Sequence, residues 1–459
     1  MARQLASEPS NAADLVLGLD FGTSRVKAVI RDATAGRTYL VQFSGEGDEP
    51  YFLPAMIYRS GAVYSLDQGD DEISDLKLKL LACKATIPVE EFDDACAFLA
   101  LAIRHCRGWF LDRYASLYRQ HQLSWTLNVG LPARSYEDER MVASFRRLAW
   151  AAANLASDTE KPVVRSDDVH LYRQLALDVY RTGIRQAEIG SFEFQPDDVD
   201  VVPEIAAEVH GFIASSRWDF MTRPYMALMD IGAGTIDTAF FCVMKGDDGK
   251  ARFIFYSSDV RPLGVVNLHR TRLAWIREVM KEDGVGRLEV ETYLNRLAAD
   301  TYRFRRIPES VNDYVPGLEY VASAAHPLID DEFFTQRVLE QLGACIRQGK
   351  VDQRFRAPTL AGMRCFVCGG GSRMKYYRRT PDEINRNWAG GPSLETEELP
   401  LPDRFEAPNL AAHEFDRVSV AYGLSTPSLG TIIRPQDIPP MPPSFRTGFQ
   451  DRFVDKDMV

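Results

Sequence analysis

Residues 15–24 read Leu-Val-Leu-Gly-Leu-Asp-Phe-Gly-Thr-Ser, and residues 227–235 read Ala-Leu-Met-Asp-Ile-Gly-Ala-Gly-Thr. Each is an apolar run that ends in an acid and breaks into a turn of glycine and hydroxyl residues. After the first turn, Val26, Ala28 and Ile30 recur at every second position, the period of a strand. After the second, Ile236-Asp237-Thr-Ala-Phe-Phe241 returns as another strand. Asp20 maps onto Asp230 and Gly22 onto Gly232, so the chain carries one acidic hairpin twice. A repeat of this kind implies two similar lobes.

The hairpins define a chemistry. Glycines let backbone N–H groups approach an anion, and a tight turn aims several of them into one concavity. Thr and Ser hydroxyls add donors. A carboxylate in the same place repels phosphate, so it acts through a cation. Mg²⁺ takes one or two carboxylates plus phosphate oxygens and keeps most of its waters. Two facing hairpins therefore make a clamp for a Mg-bound di- or triphosphate. Asp20 and Asp230 are the expected metal carboxylates. Gly22, Thr23, Ser24 and Arg25 on one side, and Gly232, Ala233, Gly234 and Thr235 on the other, are the expected phosphate contacts. A third loop, Gly369-Gly370-Gly371-Ser372-Arg373, follows a strand-like run and is placed to support the nucleoside end, with the Arg373 guanidinium stacking on the base. Singly, each motif reads as an ordinary turn. Three in order, two of them alike, read as a nucleotide clamp.

The rest of the chain sets bounds. With 459 residues, it is long enough for two or more compact lobes. Lys and Arg number 54 against 65 Asp and Glu, a net charge of −11, which repels nucleic acid and anionic membrane surfaces. Seven Cys do not make a disulfide framework, and the lone Cys365-x-x-Cys368 reads as two small buried residues ending a strand. The seven His form no metal-ligand pair, and neither a G-x-S-x-G elbow nor a Walker loop is present. Residues 1–14 lack an apolar targeting core, and no apolar run nears the ~18 residues of a membrane span. A soluble protein of the reducing cytoplasm is expected.

Between the hairpins the pattern predicts strands over Tyr51–Leu66, a helix through Asp75–Cys83, a long amphipathic helix over Glu90–His121, a strand at Trp125–Pro132 and a helix over Glu137–Ala156. A helix opens at Pro203, residues 268–349 read as mainly helical, and Asp416–Ser425 reads as a short helix with small residues on one side. Thr426–Val459 carries six prolines and is expected to be extended or disordered, with no core of its own.

Together the motifs resemble a known superfamily. Gly18-Leu-Asp20-Phe-Gly-Thr23, Met229-Asp230-Ile-Gly-Ala-Gly-Thr235 and Phe366-Val-Cys-Gly-Gly-Gly-Ser-Arg373 are similar to the phosphate-1, phosphate-2 and adenosine motifs of the actin/Hsp70/sugar-kinase superfamily. Val202-Pro203-Glu204-Ile-Ala206-Ala207 and Val418-Ser-Val-Ala421-Tyr422-Gly423 resemble its two connecting helices. Within it the Hsp70 nucleotide-binding domain is the nearest likeness, spanning about Asp14 to Ser425. The resemblance implies an α/β fold of two RNase H-like lobes around a central nucleotide cleft, with two smaller inserted subdomains. Lobe I would span 14–222 with an insertion at about 41–124, and lobe II 223–425 with an insertion at about 272–358, followed by a tail at 426–459.

The resemblance also implies ATP or ADP with Mg²⁺, slow hydrolysis, and an open or closed state signalled to a partner protein. A lysine from the first insertion would approach the γ-phosphate. Lys79 fits the Lys-x-Leu pattern best, with Lys77 nearly its equal. Glu204 would orient metal waters or the attacking water, and Asp237 would be a second acid near that water. Phosphoryl transfer needs a positioned water and neutralised charge more than a strong base. Three departures stand out. Ala233 replaces the usual middle glycine, 272–358 holds no run matching the adenine-clasping helix, and no Leu-rich linker or β-rich peptide-binding domain follows Ser425. The expectation is an ATPase module without its own peptide grip. An actin-like filament subunit shares the hairpins. A small-molecule (sugar) kinase shares the first motif, Asp20-Phe-Gly-Thr-Ser-Arg-Val-Lys-Ala, whereas the second is more like Hsp70 and bacterial cell-division actin relatives.

Overall fold

The apolar run at 15–19 lies in strand β1 (Asn11–Phe21), which turns through residues 22–24 into antiparallel β2 (Arg25–Asp32). The structure, a computed structural model, describes residues 11–438 except 45–48, 84–86, 183–191, 216, 219–224, 283, 285–286, 303–306, 315–328, 352–361 and 388–392. Val26, Ala28 and Ile30 are fully buried as the alternation predicts, and Val29 is equally buried on the opposite face. A sheet covered on both sides explains why its strands read as nearly continuous apolar runs.

β3 (Arg37–Leu40) pairs with β2, which also takes the two-residue β4 (Leu53–Pro54). β5 (Ile57–Ser60), β6 (Val63–Ser65) and β7 (Asp71–Ile73) form a small separate sheet. β8 (His121–Leu131) and β9 (Val199–Pro203) then add in parallel on the other side of β1, giving the order β3-β2-β1-β8-β9.

The second sheet repeats the plan. β10 (Tyr225–Ile231), β11 (Ile236–Lys245) and β12 (Ala251–Arg261) are antiparallel neighbours, and β13 (Met363–Cys368) and β14 (Leu394–Glu397) add in parallel beside β10. The order is β12-β11-β10-β13-β14. Each sheet also gains an outer parallel strand, β15 (Phe405–Glu406) on β3 and β16 (Thr431–Ile433) on β12. Order and direction match strand for strand. The duplication seen in two acidic turns therefore runs through both sheets, and the chain is a mixed α/β protein.

In the first half, α1 (Leu76–Ala82) leads into α2 (Val89–Arg113), which packs on α3 (Glu139–Ser157), and α3 packs on α4 (Ser166–Thr182). Helix α2 stops at Arg113 rather than His121, because His121 already belongs to β8. Helix α5 (Glu204–Ile213) follows β9 directly, with Pro203 at its N-cap. The second half carries α6 (Val265–Glu282), α7 (Arg287–Tyr302) and α8 (Leu339–Val351), and closes with the short α9 (Ser419–Leu424). Helices α5 and α9 cross between the sheets. Their side chains share one apolar cluster with both sheets, including Val29, Phe212, Phe241, Phe366, Phe415 and Leu424. The backbones meet so closely that a Cβ at Gly423 would lie 1.9 Å from the Ala207 carbonyl oxygen.

The tail departs from the expectation. Residues 426–438 are not a coreless extension: β16 pairs with β12, Leu429 and Pro435 are buried, and Arg434 Nη1 lies 3.1 Å from Glu139 Oε1. The free edge of β12 supplies hydrogen bonds that a proline-rich composition does not reveal. Residues 439–459 of the expected tail lie outside the described residues. Among the described residues, no helix is long and apolar enough to cross a membrane.

Candidate functional site

The C-terminal ends of β1 and β10 bring the two acidic turns together. Gly234 N–H donates to Thr23 Oγ1 at 3.2 Å, so tips 211 positions apart touch. Around them lie Asp20, Glu204 and Asp237, all nearly buried, and Asp230, half-buried. Glu204 is the first residue of α5 and accepts from the buried Lys77 Nζ. Asp20 Oδ2 accepts from Lys27 Nζ at 2.7 Å. Asp237 Oδ2 accepts from Ala133 N–H at 3.0 Å, just past the end of β8. Its Oδ1 is buried without a hydrogen-bond partner among the described residues. The third loop closes in from β13. Gly369 has φ +80, and a Cβ there would stand 2.1 Å from Asp230 Oδ1. Only glycine combines that backbone conformation with that approach.

Burial disfavours charge on these acids, and their mutual repulsion adds to it. Burial raises Glu204, with Lys77 opposing and Asp20 reinforcing. Burial lifts Asp230 to about 7, against the pull of Lys27 and with the push of Glu204 and Asp20. Asp237 stands well above the usual carboxylate range through burial and then Glu204. Burial would lower Lys27, but the Asp20 charge and hydrogen bond, with Asp230 and Glu204, raise it overall, so it stays an ammonium. Four acidic side chains thus gather around two lysines. Among the described residues, no three His, Cys, Asp or Glu side chains lie close enough to hold a metal unaided. A hard cation here would keep waters and need oxygens from a ligand, as Mg²⁺ does with phosphates.

One expected residue is misplaced. Lys79 is exposed, and it is Lys77 that enters the cleft. Leu76, Lys77 and Leu80 share the inward side of α1, and Lys79 falls on the outward side. Others have different partners than expected. Arg25 forms an ion pair with Glu49 at 3.2 Å, and Glu49 also binds Arg417. Ser24 is exposed, and its carbonyl accepts from Ala55 N–H at 2.9 Å. The amides of Gly22 and Gly232 turn back onto Asp20 O and Thr235 O. Those of Thr23, Ser24, Ala233 and Thr235 have no backbone acceptor among the described residues. The carbonyls of Gly232 and Ala233 accept from Val265 and Val266, which props the second turn on the start of α6. In the third loop, Ser372 Oγ donates to Asp416 Oδ2 at 3.0 Å, and Arg373 lies 3.5 Å from Asp416 and 3.6 Å from Glu414. Gly371 packs against Ile231, whereas Gly370 faces open space.

Two cleft residues escaped the sequence reading. Lys27 follows Asp20 by seven positions, as Asp237 follows Asp230, and overlaying the two hairpins points to it. Glu208, one turn beyond Glu204, is 1% exposed and accepts weakly from Ser419 Oγ at 3.4 Å. Burial, then the charges of Asp230, Asp416 and Asp20, push its carboxyl well up. An acid inside an otherwise apolar helix face carries this signal, because it has no route to water. Cys365 and Cys368 are both buried free thiols, as the strand reading expects.

No protein-family model matches the chain, and no curated protein matches it either. The functional reading rests on the geometry of this cleft.

Proposed function

We propose that the chain is an Hsp70-like ATP-binding protein. It has two RNase H-like lobes of the actin/Hsp70 kind and acts as a slow Mg²⁺-dependent ATPase whose open or closed state is read by a partner protein. The observation that carries the reading is the convergence of two register-matched acidic hairpins on one buried cleft, tip against tip, with Glu204 and Lys77 at its floor. The matching order of the two sheets supports the fold half of the proposal.

The residues fit a hydrated Mg²⁺. The acids outnumber the cleft's own cations, and Asp237 Oδ1 lacks a partner among the described residues. Asp20 and Asp230 would hold the metal through its waters, and Mg²⁺ would supply neutralisation of the phosphate charge. The amides of Thr23, Ser24, Ala233 and Thr235, which have no backbone acceptor among the described residues, would donate to phosphate oxygens. Lys77 brings an ammonium to the terminal phosphate. Glu204 and Asp237 accept hydrogen bonds from a water and orient it, which is the larger part of catalysis in phosphoryl transfer. Arg373 and the open space at Gly370 serve the nucleoside end. Since the tips touch, a polyphosphate enters only when the lobes part, and the cleft is a two-state element that a ligand biases.

Isothermal titration with ATP and ADP, with and without Mg²⁺, tests the proposal. Asp20→Ala and Asp230→Ala should each weaken Mg²⁺-dependent binding by at least about tenfold, or ~1.4 kcal/mol. Phosphate release without any added sugar separates an ATPase from a small-molecule kinase. Unchanged affinity in both variants overturns the assignment.

A further inference from the structure

The first turn and the third loop are joined by a chain of ion pairs. Arg25, the first residue of β2, lies 3.2 Å from Glu49 Oε2, and Glu49 Oε1 accepts from Arg417 Nη2 at 2.6 Å. Arg417 Nη1 lies 3.6 Å from Glu414 Oε1, and the same oxygen lies 3.6 Å from Arg373 Nη1. Arg373 Nη2 lies 3.5 Å from Asp416 Oδ1, and the other oxygen of Asp416 accepts from Ser372 Oγ. Three guanidiniums thus alternate with three carboxylates, from the end of the first turn to the end of the third loop. Their side chains are only 16–35% exposed, so solvent screens these pairs less than it does on an open surface.

Glu49 is the member that lies between β3 and β4 of the first sheet. Phe52 N–H donates to its carbonyl at 3.3 Å, closing a turn that presents a carboxylate and a ring together. Arg417 takes both, its guanidinium 3.9 Å from the centre of the Phe52 ring. Among the described residues, the Arg373 guanidinium is held by Glu414, Asp416 and the His413 carbonyl. We infer that Glu49 is a positioning residue for the nucleoside end of the cleft: by occupying Arg417 it leaves Glu414 to hold the Arg373 guanidinium, so that the first half of the molecule sets the grip of the third loop on a base. This rests on the nucleotide reading above and specifies how the two ends of its ligand are linked. Without the Glu49 charge, two acids serve three arginines. Glu414 Oε1, already shared, turns to Arg417, and Arg373 loses one of its two carboxylates. Phe415, fully buried in the shared apolar cluster, keeps the backbone of this stretch in place. What changes is therefore the direction of one side chain and not the fold. The amides of the first turn and Lys77 take no part, and Arg25, released by the same substitution, leaves more positive charge beside that turn. The phosphate end should lose nothing.

The experiment uses the full chain. Mg²⁺-ADP and Mg²⁺-pyrophosphate, which carries the phosphates without a nucleoside, are titrated calorimetrically into wild type, Glu49→Gln, Arg417→Gln and the double variant. Circular dichroism melts establish that each is folded. Glu49→Gln should weaken ADP about tenfold and leave pyrophosphate no weaker than in wild type. Arg417→Gln should bind both as wild type does. Added to Glu49→Gln, it should restore ADP, because nothing then draws Glu414 from Arg373. Glu414→Gln removes the same anchor directly, so it should show the ADP loss with or without Arg417, and it keeps the test open should Glu49→Gln fail to fold. Equal losses for ADP and pyrophosphate overturn the inference, as does a double variant weaker than Glu49→Gln, the result of a merely structural role. Should Mg²⁺-ADP binding depend on Asp20 and Asp230 while Glu49→Gln and Glu414→Gln match wild type, this inference alone falls. Should wild type bind neither ligand, the nucleotide reading falls and takes this one with it.

Discussion

Lys77 and Glu204, 3% and 6% exposed, form an ion pair between the short helix α1 and the start of α5. Removing one partner of such a pair leaves a buried charge and costs about 3–5 kcal/mol. Lys77→Met should therefore destabilise by about that amount at pH 8. The loss should shrink at pH 5, because Glu204, already raised by burial, escapes by taking a proton. Lys79→Met, on the exposed side of the same turn, should stay within about 0.5 kcal/mol. Urea denaturation at both pH values reads the contrast. Glu208 gives a second test. Its folded carboxyl titrates above its unfolded value, so the native state holds a proton that the unfolded chain has released. That stability is present below the unfolded value of about 4.3 and fades as pH rises through the folded one. Glu208→Gln should thus gain on wild type between pH 5 and 8, by up to about 1.4 kcal/mol per pH unit. The groups facing it are Asp230, Asp416, Asp20, Cys368 and Ser419. Parallel pH slopes would show that Glu208 is ionised in the fold.

At the scale of elements, the crossing of α5 and α9 is the joint on which the sheets meet. Gly423→Ala places a methyl group against the Ala207 carbonyl, with backbone on both sides and no flexible side chain to give way. Overpacking of this kind costs about 1–3 kcal/mol, so a fall in urea stability near the upper figure is expected. The glycine was legible in the sequence because small residues at helical spacing carry a local signature. So were the hairpins, since strand alternation and an acid before a glycine turn lie within ten residues of chain. Elements set by distant partners were not. Helix α4 buries a stripe of Val169, Tyr172, Ala176 and Val179, but the exposed Leu171 and Leu177 and the buried Asp168 and Arg173 blur that stripe in the sequence. Strands β15 and β16 span two and three residues, too few for any period, and exist because β3 and β12 present free edges. The choice between Lys77 and Lys79 turned on the phase of a seven-residue helix whose N-cap, Asp75, takes a left-handed conformation with φ 58.

Across the whole molecule, the halves carrying the two sheets are tied by several polar contacts besides their shared apolar cluster, three of which bear on the cleft. The tips meet at Thr23 and Gly234, and Ala133 N–H reaches Asp237. The third tie is the chain's last described stretch. From β16 on the edge of the second sheet, Arg434 crosses to Glu139, its guanidinium 5.2 Å above the Tyr136 ring, and Gln436 Nε2 donates to Glu137 O at 3.0 Å. Residues 133–139 thus touch this strap at one end and the Asp237 carboxylate at the other. Gly430 is where the strap can be released. It has φ +105, and a Cβ there would lie 1.9 Å from the Ala251 carbonyl oxygen, so a β-branched residue can neither adopt the backbone nor fit the gap. Gly430→Val should free the strap without touching the cleft. Amide hydrogen exchange over 133–139 should speed up, since a contact on its outer side is lost. On the nucleotide reading, release of a fluorescent ADP should also quicken, by about tenfold if the strap contributes ~1.4 kcal/mol to closure. The exchange measurement stands without nucleotide. Faster exchange with unchanged release would confine the strap to holding the fold together, whereas unchanged exchange would show that β16 leaves β12 without residues 133–139 sensing it.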